Sequence, residues 1–323
     1  MTAMFPMFIE KDELRNEAVV FLKPHADSDA CEKMLVAGLE AAGCTIESKR
    51  RISGAMIEEQ KLIDAHYGSL AEAAMSMVAP TTLEAAKAIA FSDMFGVEWS
   101  AARKALNPVA MAELRVDGAA LEKMWRAGPC LKLSPGVYVA KLVGAPGGDV
   151  FTINGFYPAM RQEFVAEAAA VRCFVVSWAP SAMRWSVFRD VVVGPTDPTA
   201  ASPKSLRGKF RAHWRSLGLE KEPAISCNCV HASAGPLEGL KEREVWAGLR
   251  VADDPLAVAL AAKLANRFTQ PPRDGAAVLR TWLDANPAFQ LKADEGAKKI
   301  FDATEGMDAA ELLALLPNPP SSL

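Results

Sequence analysis

Residues 224–233 read Ala-Ile-Ser-Cys-Asn-Cys-Val-His-Ala-Ser, with Pro236 and Glu242 shortly after. The stretch 224–230 is short and mostly apolar, which predicts a buried strand, and a proline at its start predicts a helix over 236–246. His231 then stands where a strand gives way to a turn. Rigid backbone on both sides can present its ring to a ligand. Imidazole can attack phosphorus at neutral pH and later return the phosphoryl group.

Upstream lies the loop Gly194-Pro195-Thr196-Asp197-Pro198, and after it Ser205-Leu206-Arg207-Gly208. Further back, the apolar run 17–22 stops at Lys23-Pro24, a strand ending at a loop. Residues 29–42 carry helical spacing through Met34, Leu35 and Leu39, with Gly43 as the stop signal. The alternation over 44–52 predicts a half-exposed strand, and 55–67 a second amphipathic helix. Residues 71–127 are rich in Ala and Met and predict several helices; 131–143 and 149–156 predict two strands joined by Gly144-Ala145-Pro146-Gly147-Gly148. A helix follows over 157–168, a central strand over 172–178 and a helix over 182–188. The tail reads as helices over 256–268, 276–283 and 309–316, broken by Pro271-Pro272 and Pro287, with residues 317–321 frayed.

Without 71–148 the order is β-α-β-α, then α-β-α-loop-β-α. It predicts an α+β fold: a ferredoxin-like, antiparallel four-stranded sheet with helices packed on it, plus a helical and β-hairpin insertion. The expected organisation is a core over 15–250, interrupted at about 71–150, and a helical extension over 251–323.

The chain has 323 residues, is 50% hydrophobic and 23% charged, and carries a formal net charge of -3. That is ordinary for a soluble globular protein and argues against duplex nucleic acid held by a global basic field. The six cysteines (Cys31, Cys44, Cys130, Cys173, Cys227, Cys229) show no CxxC pair or zinc-ligand spacing and read as free thiols in a reducing compartment. Residues 1–10 lack the pattern of a secretory signal, and no run approaches the ~18 apolar residues of a membrane span. A cytoplasmic location is expected.

In this context the chain resembles the nucleoside diphosphate kinase family. Lys23-Pro24 stands where that family's first strand ends, and His66-Tyr67 matches its His-Tyr pair. Thr196 and Arg207 keep its eleven-residue separation. Asn228 to Ser233 matches Asn-x-x-His-(Gly/Ala)-Ser, with Glu242 and Trp246 downstream. The resemblance covers residues 15–70 and 155–250. Single matches of this size are weak; their order and two kept spacings carry the likeness.

The resemblance implies a kinase that moves the γ-phosphoryl group of a nucleoside triphosphate to a nucleoside diphosphate by a ping-pong route. His231 would become phosphohistidine, Glu242 would fix its tautomer and Ser233 would assist. Lys23, Arg189, Thr196, Arg207 and Asn228 would gather on the phosphates, while Tyr67 and either Phe156 or Tyr157 would contribute around the base or the sugar hydroxyls. Magnesium would arrive with ATP or ADP, held through the nucleotide phosphates rather than by protein ligands. Family members assemble as hexamers or tetramers, so a homo-oligomer is one expectation.

The departures from the family pattern are specific. His25 replaces an Asp, Ala232 a Gly and Ala234 an Asp, and the second phosphate arginine falls on Asp190, one place from Arg189. They leave a second reading open: a non-catalytic nucleotide-binding or scaffolding module of a larger cytoskeletal or ciliary assembly.

Overall fold

The apolar run after Asn16 forms β1 (Asn16–Leu22), with every residue but Glu17 buried. The computed structural model describes residues 14–76, 79–80, 82–134, 136–267, 274–290 and 296–315. The readings made for residues 1–10, Pro271-Pro272 and 317–321 lie outside them. Contacts divide the chain into two compact units, Met1–Arg51 with Val171–Leu323, and Ile52–Ala170.

In the first unit β1 leads into α1 (Asp29–Ala41), capped by the Ser28 hydroxyl on the Cys31 N–H. The helix stops where Gly43 takes φ +85° and the Cys44 N–H reaches back to Leu39 O at 3.1 Å. β2 (Thr45–Ser53) follows.

The second unit opens with α2 (Gly54–Glu59) and α3 (Leu62–Tyr67). The single helix expected over 55–67 is broken because Lys61 adopts a left-handed φ of 54°. Next come α4 (Ser69–Met75), α5 (Ala85–Phe95), α6 (Asn107–Leu114) and α7 (Gly118–Arg126). β3 (Cys130–Ser134), β4 (Val137–Leu142) and β5 (Val150–Ile153) form a three-stranded sheet in that order. The strand expected over 131–143 is therefore a hairpin, because Gly136 at φ +76° reverses the chain. α8 (Tyr157–Val165) closes this unit.

The first unit resumes with β6 (Ala170–Trp178) and α9 (Trp185–Val187), which runs on as π-helical turns over Phe188–Val193. α10 (Leu206–Ala212), β7 (Val230–Ala232) and α11 (Pro236–Glu242) follow, the last continuing as π turns over Arg243–Ala247. The strand expected over 224–230 is shorter and later. Residues 225–227 coil into a 3-10 turn instead of extending. α12 (Pro255–Arg267), α13 (Gly275–Ala285), β8 (Ala288–Phe289), β9 (Lys298–Lys299), α14 (Ile300–Ala303) and α15 (Ala309–Leu315) complete the chain.

The main sheet has the order β2-β6-β1-β7, and β1 runs antiparallel to both neighbours. Its alternation sorts the two faces. Ala18, Val20 and Leu22 join Leu35, Leu39, Phe174, Trp178 and Phe210 in one core. The C-terminal helices make another, where Leu256, Leu260 and Leu283 pack with Leu237 and Leu240 of α11. The α+β class with an antiparallel four-stranded sheet is what the structure has. Among the described residues no helix is long and apolar enough to cross a membrane.

Candidate active site around His231

β7 is only three residues long, yet its register is fixed: Val20 faces Ala232, Phe21 faces His231 and Leu22 faces Val230. Period-two alternation turns His231 away from the core that holds Val230. Its ring stacks on Phe21 at 4.5 Å and 22°, and Phe21 in turn meets the fully buried Trp246 at 5.0 Å. The strand is entered through Cys229 at φ +65°, with the Val230 N–H on Asn228 O at 2.8 Å. A non-glycine residue there costs about 1–3 kcal/mol and persists only where surrounding contacts enforce it. One such contact is the Lys23 N–H on Cys229 O at 2.9 Å, which ties the end of β1 to this turn.

Helix α11 lies tight against β1. A Cβ on Gly239 would come within 2.7 Å of Glu17 O, so only glycine permits that approach. The approach brings Glu242 to the strand. One of its oxygens lies 2.8 Å from His231 Nε2, and the other accepts the Ser233 hydroxyl at 2.5 Å. The Ser233 oxygen accepts the Val19 N–H at 2.9 Å. Since a carboxylate only accepts, Nε2 carries the proton and Nδ1 the lone pair of the neutral ring.

Lys23, Arg189 and Arg207 all act on the ring through their charges. Burial first, and then Lys23, Arg207 and Arg189 in that order, push the His231 imidazole down to about 3. Arg207 is itself half-buried, and its guanidinium donates to Gly194 O at 2.8 Å and to Val230 O at 2.9 and 3.2 Å. Burial, then the neighbouring Arg189, lowers it to about 10. Asn228 is 2% exposed; its Nδ2 donates to Thr196 O at 3.0 Å, while Oδ1 has no hydrogen-bond partner. Thr196 is exposed on the loop after Gly194, and His25 hydrogen-bonds the Cys227 backbone.

Of the residues singled out from sequence, Lys23, Arg189, Thr196, Arg207, Asn228, His231, Ser233 and Glu242 thus lie in one compact unit. Tyr67 and Phe156 belong to the other. There Tyr67 meets Tyr157 at 6.0 Å, and Phe156 packs on Trp125 at 5.6 Å with Arg126 above its ring. Arg189 forms an ion pair with Glu305.

Two further acids border the site, and the local pattern of the chain does not single them out. Glu238 stands four residues before Glu242 on α11, and its Oε2 accepts the Ala234 N–H at 2.9 Å. Burial and then the Glu242 charge raise its carboxyl above the usual range. Its only signal is the i, i+4 spacing of two glutamates on one helix face. Glu305 had no sequence signal, since it lies 116 residues from Arg189.

No family model matches the chain, and no curated protein does. Solved structures to which it is similar are nucleoside diphosphate kinases. The enzyme from Encephalitozoon cuniculi is 14% identical, with 72% of this chain and 90% of that one covered at a TM-score of 0.35. The enzyme from Pyrobaculum aerophilum is 15% identical, covering 74% and 98% at 0.36. A transition-state mimic of the Borrelia burgdorferi enzyme, with bound vanadate and ADP, is 15% identical, covering 72% and 87% at 0.33.

Proposed function

We propose that the His231 site is a phosphoryl-transfer centre of the nucleoside diphosphate kinase type. The observation that carries this reading is the clamp of His231 Nε2 on Glu242, set among three cationic side chains. Lys23 would supply a point charge to the terminal phosphates, and Arg189 and Arg207 their guanidinium hydrogens. The unpartnered Oδ1 of Asn228 suits a hydroxyl donor on the nucleotide. Magnesium would come with the nucleotide, bound by phosphate oxygens and spreading their charge.

In the first half-reaction the Nδ1 lone pair attacks the γ-phosphorus and the bond to the β-phosphate oxygen breaks. The nucleoside diphosphate leaves with that electron pair, and the Nε2 proton stays on the ring facing Glu242. In the second half, a β-phosphate oxygen of another nucleoside diphosphate attacks the same phosphorus and the P–N bond breaks. Each displacement leaves the protein's proton count unchanged. The low basicity of His231 keeps the ring neutral, and thus nucleophilic, across physiological pH.

The test is incubation with γ-labelled ATP. The wild-type protein takes up phosphate that is acid-labile and alkali-stable, and His231→Ala takes up none. Equal labelling of the two proteins would sink the mechanism. A second reading, a non-catalytic nucleotide-binding or scaffolding module, is favoured by one observation: Arg207 spends its guanidinium on backbone carbonyls. ADP binding without any label uptake would select it. An assembly of identical chains remains part of the first reading, and light scattering at micromolar concentration reads it directly.

A further inference from the structure

The C-terminal segment that follows α14 is pinned beside the His231 loop. The Gly306 N–H donates to Ala234 O at 2.9 Å, two residues beyond the end of β7. A Cβ on Gly235 would come within 2.7 Å of Thr304 O, so the two backbones touch where α11 begins. Asp308, 6% exposed, accepts from the Trp185 N–H at 2.7 Å and from Asn16 Nδ2 at 2.7 Å, and Asn16 Oδ1 accepts the Ala309 N–H at 2.9 Å. Between these anchors the chain turns at Gly306, φ +72°, and presents Glu305 to the guanidinium of Arg189.

We infer that Glu305 is a built-in competitor for the anion that Arg189 binds, so that the C-terminal segment sets the affinity of the His231 site for phosphate groups. The inference rests on the reading of that site as a phosphate site. Arg189 is the guanidinium of the cluster that faces a carboxylate, whereas Arg207 donates to carbonyl oxygens. A phosphate approaching His231 must draw Arg189 away from Glu305. Release needs no unfolding, because the Glu305 side chain is 43% exposed while its backbone is held on both sides. One rotamer change frees the guanidinium. The carboxylate then turns to water, and the phosphate takes its place on Arg189.

The experiment measures binding of ADP and of inorganic tripolyphosphate to the full chain by titration calorimetry at fixed salt. Wild type is compared with Glu305→Gln, Asp302→Asn, Arg189→Ala and the double variant Arg189→Ala/Glu305→Gln. Asp302, exposed on α14 three residues before Glu305, removes an equal charge and is not a member of the ion pair. Glu305→Gln should bind both ligands about three- to fivefold more tightly, the size expected of a partly exposed ion pair. Asp302→Asn should be unchanged, and the gain should vanish in the Arg189→Ala background. Equal affinity of wild type and Glu305→Gln overturns the inference. So does an equal gain from Asp302→Asn, or a gain that survives without Arg189. If Glu305→Gln misfolds, Glu305→Ala serves in the same comparison. Failure of folded wild type and Glu305→Gln to bind either ligand would instead remove the phosphate-site reading, and this inference with it.

Discussion

His231 Nε2 lies 2.8 Å from one oxygen of Glu242, while the other oxygen of the same carboxylate accepts the Ser233 hydroxyl at 2.5 Å. One buried acid thus fixes a ring tautomer and is itself fixed by a hydroxyl on the same strand end. Glu242→Gln keeps the volume but presents a single acceptor oxygen and an amide that cannot accept from Nε2–H. Phosphoryl uptake from labelled ATP should fall about 10- to 100-fold, as when other histidine-orienting partners are removed. Nucleotide affinity should hardly change. An unaltered uptake rate would mean that this carboxylate does not orient the nucleophile.

Ser233→Ala removes more than a partner of Glu242. The Val19 N–H loses the oxygen it donates to at 2.9 Å, in a fully buried part of the sheet. An orphaned buried donor costs about 1–3 kcal/mol. Urea unfolding should show that loss as a lower midpoint with an unchanged slope. A variant as stable as wild type would contradict the role given to this hydroxyl.

Gly239→Ala sets a Cβ 2.7 Å from Glu17 O, a backbone atom that cannot swing aside. Either α11 retreats from β1 or β1 shifts, at about 1–3 kcal/mol. Because α11 carries Glu242, the loss of stability should be accompanied by slower uptake of label by His231. Reduced stability with full phosphoryl transfer would show that the strand and helix can separate without disturbing the clamp.

Acid should reveal the neutral state of His231. Its value in the folded protein, about 3, lies below its ordinary 6.5. Below pH 6.5 the unfolded chain therefore binds a proton that the folded chain refuses, and stability falls as pH drops through that range. His231→Asn lacks this group, so its melting temperature should decline less between pH 7 and pH 5 than that of wild type. Parallel declines would mean that His231 protonates normally in the fold.

Glu238 works in the opposite direction. Burial and the charge of Glu242 raise its carboxyl, so above its ordinary 4.5 the folded protein keeps a proton that the unfolded chain has released. Its contribution to stability is present at low pH and fades as pH rises through the raised value. Glu238→Gln, permanently neutral, should flatten the wild-type loss of stability as pH rises from 4.5 to the raised value. Denaturant midpoints at successive pH values read this directly, and identical profiles for the two proteins would count against a protonated Glu238.

Much of this was legible along the chain because it is local. The apolar run ending at Lys23-Pro24 became β1, and the spacing of Leu35 and Leu39 became the buried face of α1. The order of strands and helices around the central gap yielded the antiparallel four-stranded sheet. Where local pattern failed, backbone chemistry overruled periodicity. Lys61 at φ 54° cut one helix in two, Gly136 folded one apolar run into a hairpin, and residues 225–227 coiled before a strand that is three residues long.

Strand alternation and helical spacing act over a few residues, so the residue types that flank His231 and their order could be read along the chain. Their partners could not, because those come from folding. Arg207 turned to the carbonyls of Gly194 and Val230, Arg189 to Glu305, and Tyr67 and Phe156 to the packing of a separate unit. Burial beside Glu242 raised the carboxyl of Glu238 above its ordinary range. Hydrogen bonds and charges depend on distance in space. A pair 116 residues apart, such as Arg189 and Glu305, leaves no period in the chain to betray it.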